Sequence, residues 1–201
     1  MPNWCFTTYR ILGPKEDRDK LYNAIKYIDD LDEPKVENDF GNLWLGCLVD
    51  YFGGNPNDVY CRGEITDYEN EEDCLRITAE TAWREMYETR HFLEGVFPNL
   101  KFFYLAEEPN MGEYYTNDKE RKVFPCQYYL DTCDIEDVDE IDFYTLDDAI
   151  KYIHRILPEL EFEPDLDSIN NAFEEFMEED GNEDKYIHLY EYEYYEDQCR
   201  Q

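Results

Sequence analysis

The sequence is short of positive charge. It has 18 lysines and arginines against 51 aspartates and glutamates in 201 residues, which gives a formal net charge of −33. The field of such a protein would repel nucleic acid, anionic membranes and acidic substrates, so we exclude these as direct partners. Acidity on this scale can indicate disorder, but aromatic residues make up 17% of the chain and hydrophobic residues 42%. Disordered acidic chains are poor in aromatics, so we expect a folded protein.

The chain also lacks long apolar runs and closely spaced metal ligands. No apolar stretch approaches the ~18 residues of a membrane helix. The N-terminus "MPNWCFTTYRILGPKED" has no basic segment followed by an apolar one. The seven cysteines include no C-x-x-C pair, and the three histidines lie far apart. We therefore expect a cytoplasmic protein with reduced cysteines, no structural zinc and no cofactor.

Motifs of nucleotide-binding and hydrolytic enzymes are missing as well. The chain contains no G-x-x-x-x-G-K-[ST], G-x-G-x-x-G, H-E-x-x-H or G-x-S-x-G. Glu107 and Glu108, at a strand end, could form an acid–base pair or bind a metal, but carboxylate pairs are frequent in so acidic a chain. We interpret His91 and His154 as helix-face residues, while His188 falls in a tyrosine-rich strand. The sequence therefore predicts a protein without enzymatic activity.

Alternating and helical apolar patterns predict an α+β fold. The predicted strands span residues 4–12, 43–52, 59–68, 74–80, 100–108, 112–117, 123–131 and 185–195. The predicted helices span residues 15–30, 82–97 and 145–157, the last with Thr145 as its N-cap, and a fourth helix begins at a Ser168 cap. We expect "GGNPND" to join two of the strands as a hairpin turn. The predicted strands are interrupted by two helices, and several would run antiparallel to the strand before them. This succession favours a ferredoxin-like sheet with helices packed on one face.

The composition changes near the basic segment "KERK", which begins at residue 119. Residues 1–130 carry 26 acids and 14 bases, whereas residues 131–201 carry 25 acids and 4 bases. We predict a ferredoxin-like domain over residues 1–118, followed by an acidic, tyrosine-rich α/β extension over residues 119–201. Adaptation to high salt would deplete bases along the whole chain, and the first 130 residues retain theirs.

Four ordered motifs in the first part of the chain resemble the YubB-type ferredoxin-like proteins of plasmids and phages. The chain opens with "MPNWC" and a strand that closes on the glycine of "ILG". "FGNLW" (40–44) is similar to the family's Trp-Gly-x-x-Trp, with Phe40 in place of the first tryptophan, and "TAW" (81–83) matches its Thr-Ala-Trp. "FPNLKFFYLAEEPNMGEYY" (97–115) resembles its helix end and the strand beyond. Here "REM" follows "TAW" in place of the usual Ser-Pro-Pro. The resemblance implies a ferredoxin-like fold and a mobile-element origin, and it implies no reaction.

The acids of the extension fall into two clusters. The stretch "DTCDIEDVDEIDFYTLDD" (131–148) holds nine carboxylates and no lysine or arginine, and the second cluster lies in the helix after Ser168. Unneutralised charge destabilises a compact state, which favours a binding role. Period-two alternation places Tyr190, Tyr192 and Tyr194 on one face, where they would add aromatic contact area. The predicted partner-binding residues are Asp134, Glu136, Asp137, Asp139, Glu140, Asp142, Glu174, Glu175, Glu178, Glu179, Tyr190, Tyr192 and Tyr194.

A dense carboxylate face can imitate the charge of DNA, which carries one negative charge about every 1.7 Å of its axis. We therefore predict a non-enzymatic inhibitor from a phage or other mobile element. It would bind the basic nucleic-acid-binding surface of a host defence protein, such as an anti-phage nuclease or a CRISPR effector.

Several alternatives stay open. The carboxylates could belong to a divalent-cation-binding regulator or a metal-dependent enzyme, although "DLDSINN" and "DGNED" lack the twelve-residue calcium loop. The acids could form a solvated surface without a partner. The tyrosines could support self-association as a homodimer.

Overall fold

The computed structural model describes residues 2–135, 138, 141–182 and 184–195. Within these residues the chain forms two compact units, residues 2–118 and Lys119–Tyr195. Both units combine helices with sheets, so the α+β class is confirmed. The first unit contains β1 (Trp4–Leu12), α1 (Lys15–Asp29), α2 (Leu45–Tyr51), β2 (Gly63–Asn70), β3 (Leu75–Ala82), α3 (Tyr87–Val96), β4 (Lys101–Glu108) and β5 (Glu113–Thr116). The second contains β6 (Tyr128–Cys133), β7 (Ile141–Phe143), α4 (Leu146–Ile156), α5 (Leu166–Glu178), β8 (Tyr186–Glu191) and β9 (Glu193–Tyr194).

Five strands of the first unit lie side by side in the order β2-β3-β1-β4-β5, and each pairs antiparallel with its neighbour. Successive side chains of a strand point to opposite faces of the sheet. In β1, Cys5, Tyr9 and Ile11 are buried and belong to a core that also contains buried residues of α1, α2 and α3. Trp4 and Phe6 lie on the other face, where they are less buried.

The predicted strand over residues 43–52 is wrong, because these residues form α2 instead. The run "LGCLV" is buried at every position, so it shows no periodicity that could distinguish a strand from a helix. The following glycines end this helix and do not form a hairpin turn. Gly53 has a positive φ of 81°, its N–H donates to the carbonyl of Asp50, and the N–H of Gly54 donates to that of Val49. This pair of bonds is the Schellman arrangement that ends many helices.

Two further boundaries differ from the prediction for local reasons. α3 begins at Tyr87, five residues later than expected, because Trp83 adopts a left-handed backbone conformation with φ 73°. The Thr81 hydroxyl donates a 2.7 Å hydrogen bond to the carbonyl of Arg84 and holds this turn. β6 begins at Tyr128, well after the predicted start at residue 123. Pro125 lies between the two positions and has no N–H to donate to a sheet.

The second unit packs α4 and α5 on a three-stranded antiparallel sheet in the order β7-β6-β8. Thr145 caps α4 as predicted, since its side chain accepts a hydrogen bond from the Asp148 N–H. The cap of α5 is Asp165, so the predicted Ser168 cap is wrong; the Asp165 carboxylate accepts from the Ser168 N–H. The Asn170 amide exchanges two 2.9 Å hydrogen bonds with the backbone of Leu189 and so occupies part of the free edge of β8.

Candidate protein-binding surface

The acids of the second predicted cluster lie on the outer side of α5. Ile169, Ala172 and Phe173 are buried, so they fix which side of the helix faces the core. The remaining positions of the last turns must point outward, since helical residues three and four apart share a face. Glu174, Glu175, Glu178 and Glu179 are all exposed. The structure therefore presents these four predicted residues together on one surface, which we call the α5 acidic surface.

The local energetics of α5 oppose this arrangement. Glu174 and Glu178 are four residues apart, as are Glu175 and Glu179, and like charges at this spacing destabilise a helix. The four residues also lie at the C-terminal end, where the helix dipole is negative and cations are favoured. The last turn of α5 contains no basic residue. Helix stability alone therefore does not account for the four glutamates.

No lysine or arginine of the described residues forms an ion pair with the α5 acidic surface. In the second unit, Lys122 pairs with Glu120, and Lys151 lies 3.3 Å from Asp147 and 3.9 Å from Asp148. Three other cations lie over aromatic rings. Lys119, Arg155 and Lys185 are 5.3, 4.6 and 5.5 Å from the ring centres of Tyr194, Tyr152 and Phe176. None of these cations lies within ion-pair distance of a glutamate of the α5 acidic surface.

Only part of the first acidic cluster can be placed. Asp134 is exposed and has a left-handed backbone with φ 58°. Asp142 is exposed in the short strand β7, and its carboxylate accepts a 3.2 Å hydrogen bond from the Tyr192 hydroxyl. Partial burial of the carboxylate raises the pKa of Asp142, and this hydrogen bond acts in the opposite direction. Glu136, Asp137, Asp139 and Glu140 lie outside the described residues.

The three predicted tyrosines do not share a face, because β8 ends at Glu191 and the alternation stops there. Tyr190 is half-buried, and its hydroxyl lies 2.6 Å from that of Tyr186. Tyr192 is completely buried, and its N–H donates to the carbonyl of Gln127. Tyr194 is 40% exposed. We correct the prediction for Tyr192, which packs within its own chain and offers no surface to a partner.

The carboxylate pair at the end of β4 does not form an acid–base site. Glu107 and Glu108 are consecutive strand residues and point to opposite faces of the sheet. Glu108 is fully buried; one oxygen accepts a 3.2 Å bond from the Asn110 N–H, and the other has no hydrogen-bond partner. Within the part of the chain that the structure describes, no three histidine, cysteine, aspartate or glutamate residues are grouped so that they could hold a metal ion.

Each of the three histidines lies on a different element and has its own contacts. His91 is exposed on α3, 2.8 Å from Glu94, and His154 stacks on Phe162 with ring centres 4.7 Å apart. His188 is half-buried in β8. Burial lowers its pKa, while the charge of Glu174 opposes this effect.

A buried polar network in the first unit was not predicted from the sequence. Glu85 and Arg90 are each 3% exposed and form a 2.8 Å ion pair, and the Tyr9 hydroxyl donates to the same Glu85 oxygen over 3.1 Å. Arg90 also pairs with Glu94, four residues later in α3, and this i,i+4 spacing was the available sequence signal. Tyr9, Glu85 and Arg90 are shielded from solvent, so we assign the network a structural role.

The neighbouring Cys5 thiol is also poorly suited to catalysis. Cys5 is completely buried, and this burial raises its pKa to about 11. Nucleophilic cysteines are thiolates with lowered pKa values in accessible positions. The thiol of Cys5 therefore stays protonated near neutral pH.

No family model, curated protein or solved structure matches the chain. In the described residues, no helix is both long enough and apolar enough to cross a bilayer. We therefore infer a function from the residues that the chain presents at its surface.

Proposed function

We propose that the protein is a non-enzymatic inhibitor, encoded by a phage or other mobile element, that acts in the host cytoplasm. It binds the basic nucleic-acid-binding surface of a host defence protein, and its carboxylates occupy the positions that phosphates would take. The observation that carries this proposal is the α5 acidic surface: Glu174, Glu175, Glu178 and Glu179 are exposed together, and no lysine or arginine among the described residues forms an ion pair with them.

The physical basis is charge complementarity. Lysines and arginines that bind phosphates also bind carboxylates, and arginine does so through two parallel hydrogen bonds. Opposite fields accelerate encounter, so such a partner would associate fast at low salt and more slowly as salt rises. Asp134 and Asp142, both exposed in the same unit, would add to its negative field. Tyr194 would add aromatic contact area, since tyrosine is enriched in protein interfaces.

We also propose that the first unit is ferredoxin-like. The succession β1-α1-β2-β3-α3-β4, with the antiparallel strand order β2-β3-β1-β4, supports this assignment. In this arrangement each pair of strands joined across a helix is separated by one antiparallel strand, as expected for two interlocked split βαβ units. α2 and β5 would then be additions to the common plan.

Displacement of nucleic acid from a captured partner would test the inhibitor proposal. The full chain is immobilised, bacterial lysate is passed over it at graded salt, and each retained protein is purified. The free chain is then added to a complex of that protein with a fluorescent DNA duplex. We expect release of the duplex at stoichiometric concentrations, with an apparent affinity that falls as salt rises. Capture without displacement would refute the inhibitor proposal.

A matched pair of variants separates the α5 acidic surface from net charge. The test variant is E174Q/E175Q/E178Q/E179Q. The control is D32N/E33Q/E37Q/D39N, which removes the same charge from four exposed acids of the first unit. We expect the test variant to slow association about tenfold or more at low salt, and the control to change it much less. Equal effects of the two variants would show that net charge alone drives binding.

A further inference from the structure

The face of the first unit's sheet that points away from its hydrophobic core carries a second acidic feature. Directly paired residues of neighbouring strands project on the same face. Glu64 of β2 pairs with Glu80 of β3, Glu80 pairs with Phe6 of β1, and Phe6 pairs with Glu107 of β4. These four side chains form one row across the sheet, which we call the Phe6 row. Phe6 is 43% exposed, although it lies at the centre of the row.

The Phe6 row is electrostatically unfavourable by itself. Glu64 and Glu80 are both half-buried and directly opposite each other, and like charges in this position destabilise a sheet. Neither glutamate forms an ion pair with any described residue, and the nearby Arg62 and Arg84 are both exposed. Burial and the charge of Glu80 together raise the pKa of Glu64. A cation placed between the two carboxylates would relieve this repulsion.

Elsewhere on the same sheet face, an arginine of the chain already lies between carboxylates. Arg76 lies on β3 four residues before Glu80, so it projects on the same face. Its guanidinium reaches three carboxylates, with distances of 2.7 Å to Asp67, 2.9 Å to Glu69 and 3.5 Å to Glu71. At one half of the face, an arginine of the chain therefore lies between the carboxylates. In the Phe6 row, two glutamates face each other across β2 and β3, and an aromatic ring lies beside them.

Aromatic side chains add a stacking surface at the Phe6 row. Trp4 lies two residues before Phe6 on the same face of β1 and contacts Phe40 edge-on, with ring centres 6.2 Å apart. Trp83 follows the end of β3 and is 50% exposed. A guanidinium can stack on an aromatic ring while its N–H groups bind carboxylates, and an ammonium lacks this planar geometry.

We propose that the Phe6 row binds an arginine side chain of a partner protein. The guanidinium bridges Glu64 and Glu80 and lies against Phe6, in the way that Arg76 bridges the acids at the other half of the face. This site is independent of the α5 acidic surface, and it would remain if the proposed inhibitor function failed.

Titration of the full chain with short peptides tests this site. The probe is acetyl-Gly-Gly-Arg-Gly-Gly-amide, followed by the signals of Phe6 and of the Trp4 indole N–H in isotope-labelled protein. A peptide with citrulline, which is neutral and similar in shape, is the control for charge, and a lysine peptide is the control for planarity. We expect saturable shifts with the arginine peptide, binding weakened about tenfold with lysine, and no saturable shifts with citrulline.

Variants locate the binding. E64Q/E80Q should weaken the arginine peptide at least about tenfold, whereas D32N/E33Q, with the same change in charge, should leave it unchanged. Thermal melts should show that E64Q/E80Q is at least as stable as the wild type, because the repulsion is removed. F6A should weaken binding while both glutamates remain. Saturable citrulline binding, equal lysine binding, or wild-type affinity in E64Q/E80Q would each overturn the proposal.

Discussion

The two units of this protein handle negative charge in different ways. Residues 1–118 contain 25 acids and 11 bases, and residues 119–195 contain 24 acids and 6 bases. Among the described residues of the first unit, six cations lie within ion-pair distance of carboxylates: Arg10, Lys15, Lys20, Lys26, Arg76 and Arg90. In the second unit, Lys122 and Lys151 also pair with carboxylates, whereas Lys119, Arg155 and Lys185 lie over aromatic rings and form no ion pair with a described carboxylate.

The difference shows that net charge alone does not tell which acids are paired with cations in the fold. Exposed pairs such as Lys15–Asp19 and Lys26–Asp30 are worth little individually, but they reduce the field around the first unit. The second unit lacks this compensation at the end of α5, where both the helix dipole and i,i+4 repulsion oppose additional glutamates. Acids that reduce stability and remain exposed are better explained by binding than by folding.

The largest expected effect comes from breaking the buried pair of the first unit. Arg90→Met would leave Glu85 buried without its cation, and removal of one partner of a buried pair typically costs about 3–5 kcal/mol. The free energy of unfolding is measured by urea denaturation followed by tryptophan fluorescence, since all three tryptophans lie in the first unit.

Lys26→Met is the matched control, because Lys26 and Asp30 form an exposed pair. Its loss should change the free energy of unfolding far less than the loss of Arg90 does, because exposed ion pairs contribute little to stability. If the two variants lost the same stability, the distinction between buried and surface pairs in this unit would be incorrect.

A smaller effect of opposite sign is expected in the second unit. The E174Q/E175Q/E178Q/E179Q variant should be more stable than the wild type by about 1 kcal/mol at low salt, because two like-charge pairs and unfavourable dipole contacts are removed. Circular dichroism during urea denaturation measures this gain, which should shrink as salt screens the charges. A loss of stability in this variant would mean that the glutamates support the fold, and the argument for a binding role would fail.

The smallest effect concerns the pH dependence contributed by Asp142. Its pKa is raised in the folded state, so the folded protein binds the proton more tightly than the unfolded chain does. The contribution of this group to stability is therefore fully present below the unfolded pKa, and it is lost as pH rises through the folded pKa. Asp142→Asn should remove this loss, so the variant should gain relative to the wild type as pH rises from acid to neutral. Parallel stability–pH curves for the two proteins would contradict this prediction.

Sequence patterns predicted many of the helices and strands, because these form through interactions between residues close together in the chain. The strand over Trp4–Leu12 alternates, the helix over Lys15–Asp29 has an apolar stripe, and Thr145 can cap a helix by itself. The pattern failed at α2, whose fully apolar run has no period, and at the "GGNPND" segment, where two glycines suit a helix end as well as a turn. It also missed β7, because three residues in an acidic stretch carry too little apolar signal.

The candidate sites also contain features that the sequence could predict and features that it could not. The exposure of the α5 glutamates could be predicted, because Ile169 and Phe173 mark the buried side of the helix. The burial of Tyr192 could not, since it depends on where β8 ends. The Phe6 row was also invisible in the sequence, because Glu64, Glu80 and Phe6 come together only through strand register.

Composition by itself determined the sign and size of the charge, and periodicity determined most helices and strands, because both depend on residues close together in the chain. Tertiary structure alone decided which acids are neutralised. An ion pair such as Glu85–Arg90, or a row such as Glu64–Glu80–Phe6, depends on distances across the fold. Electrostatic energy depends on those distances and on burial. The fold therefore decides which acids together form a charged surface.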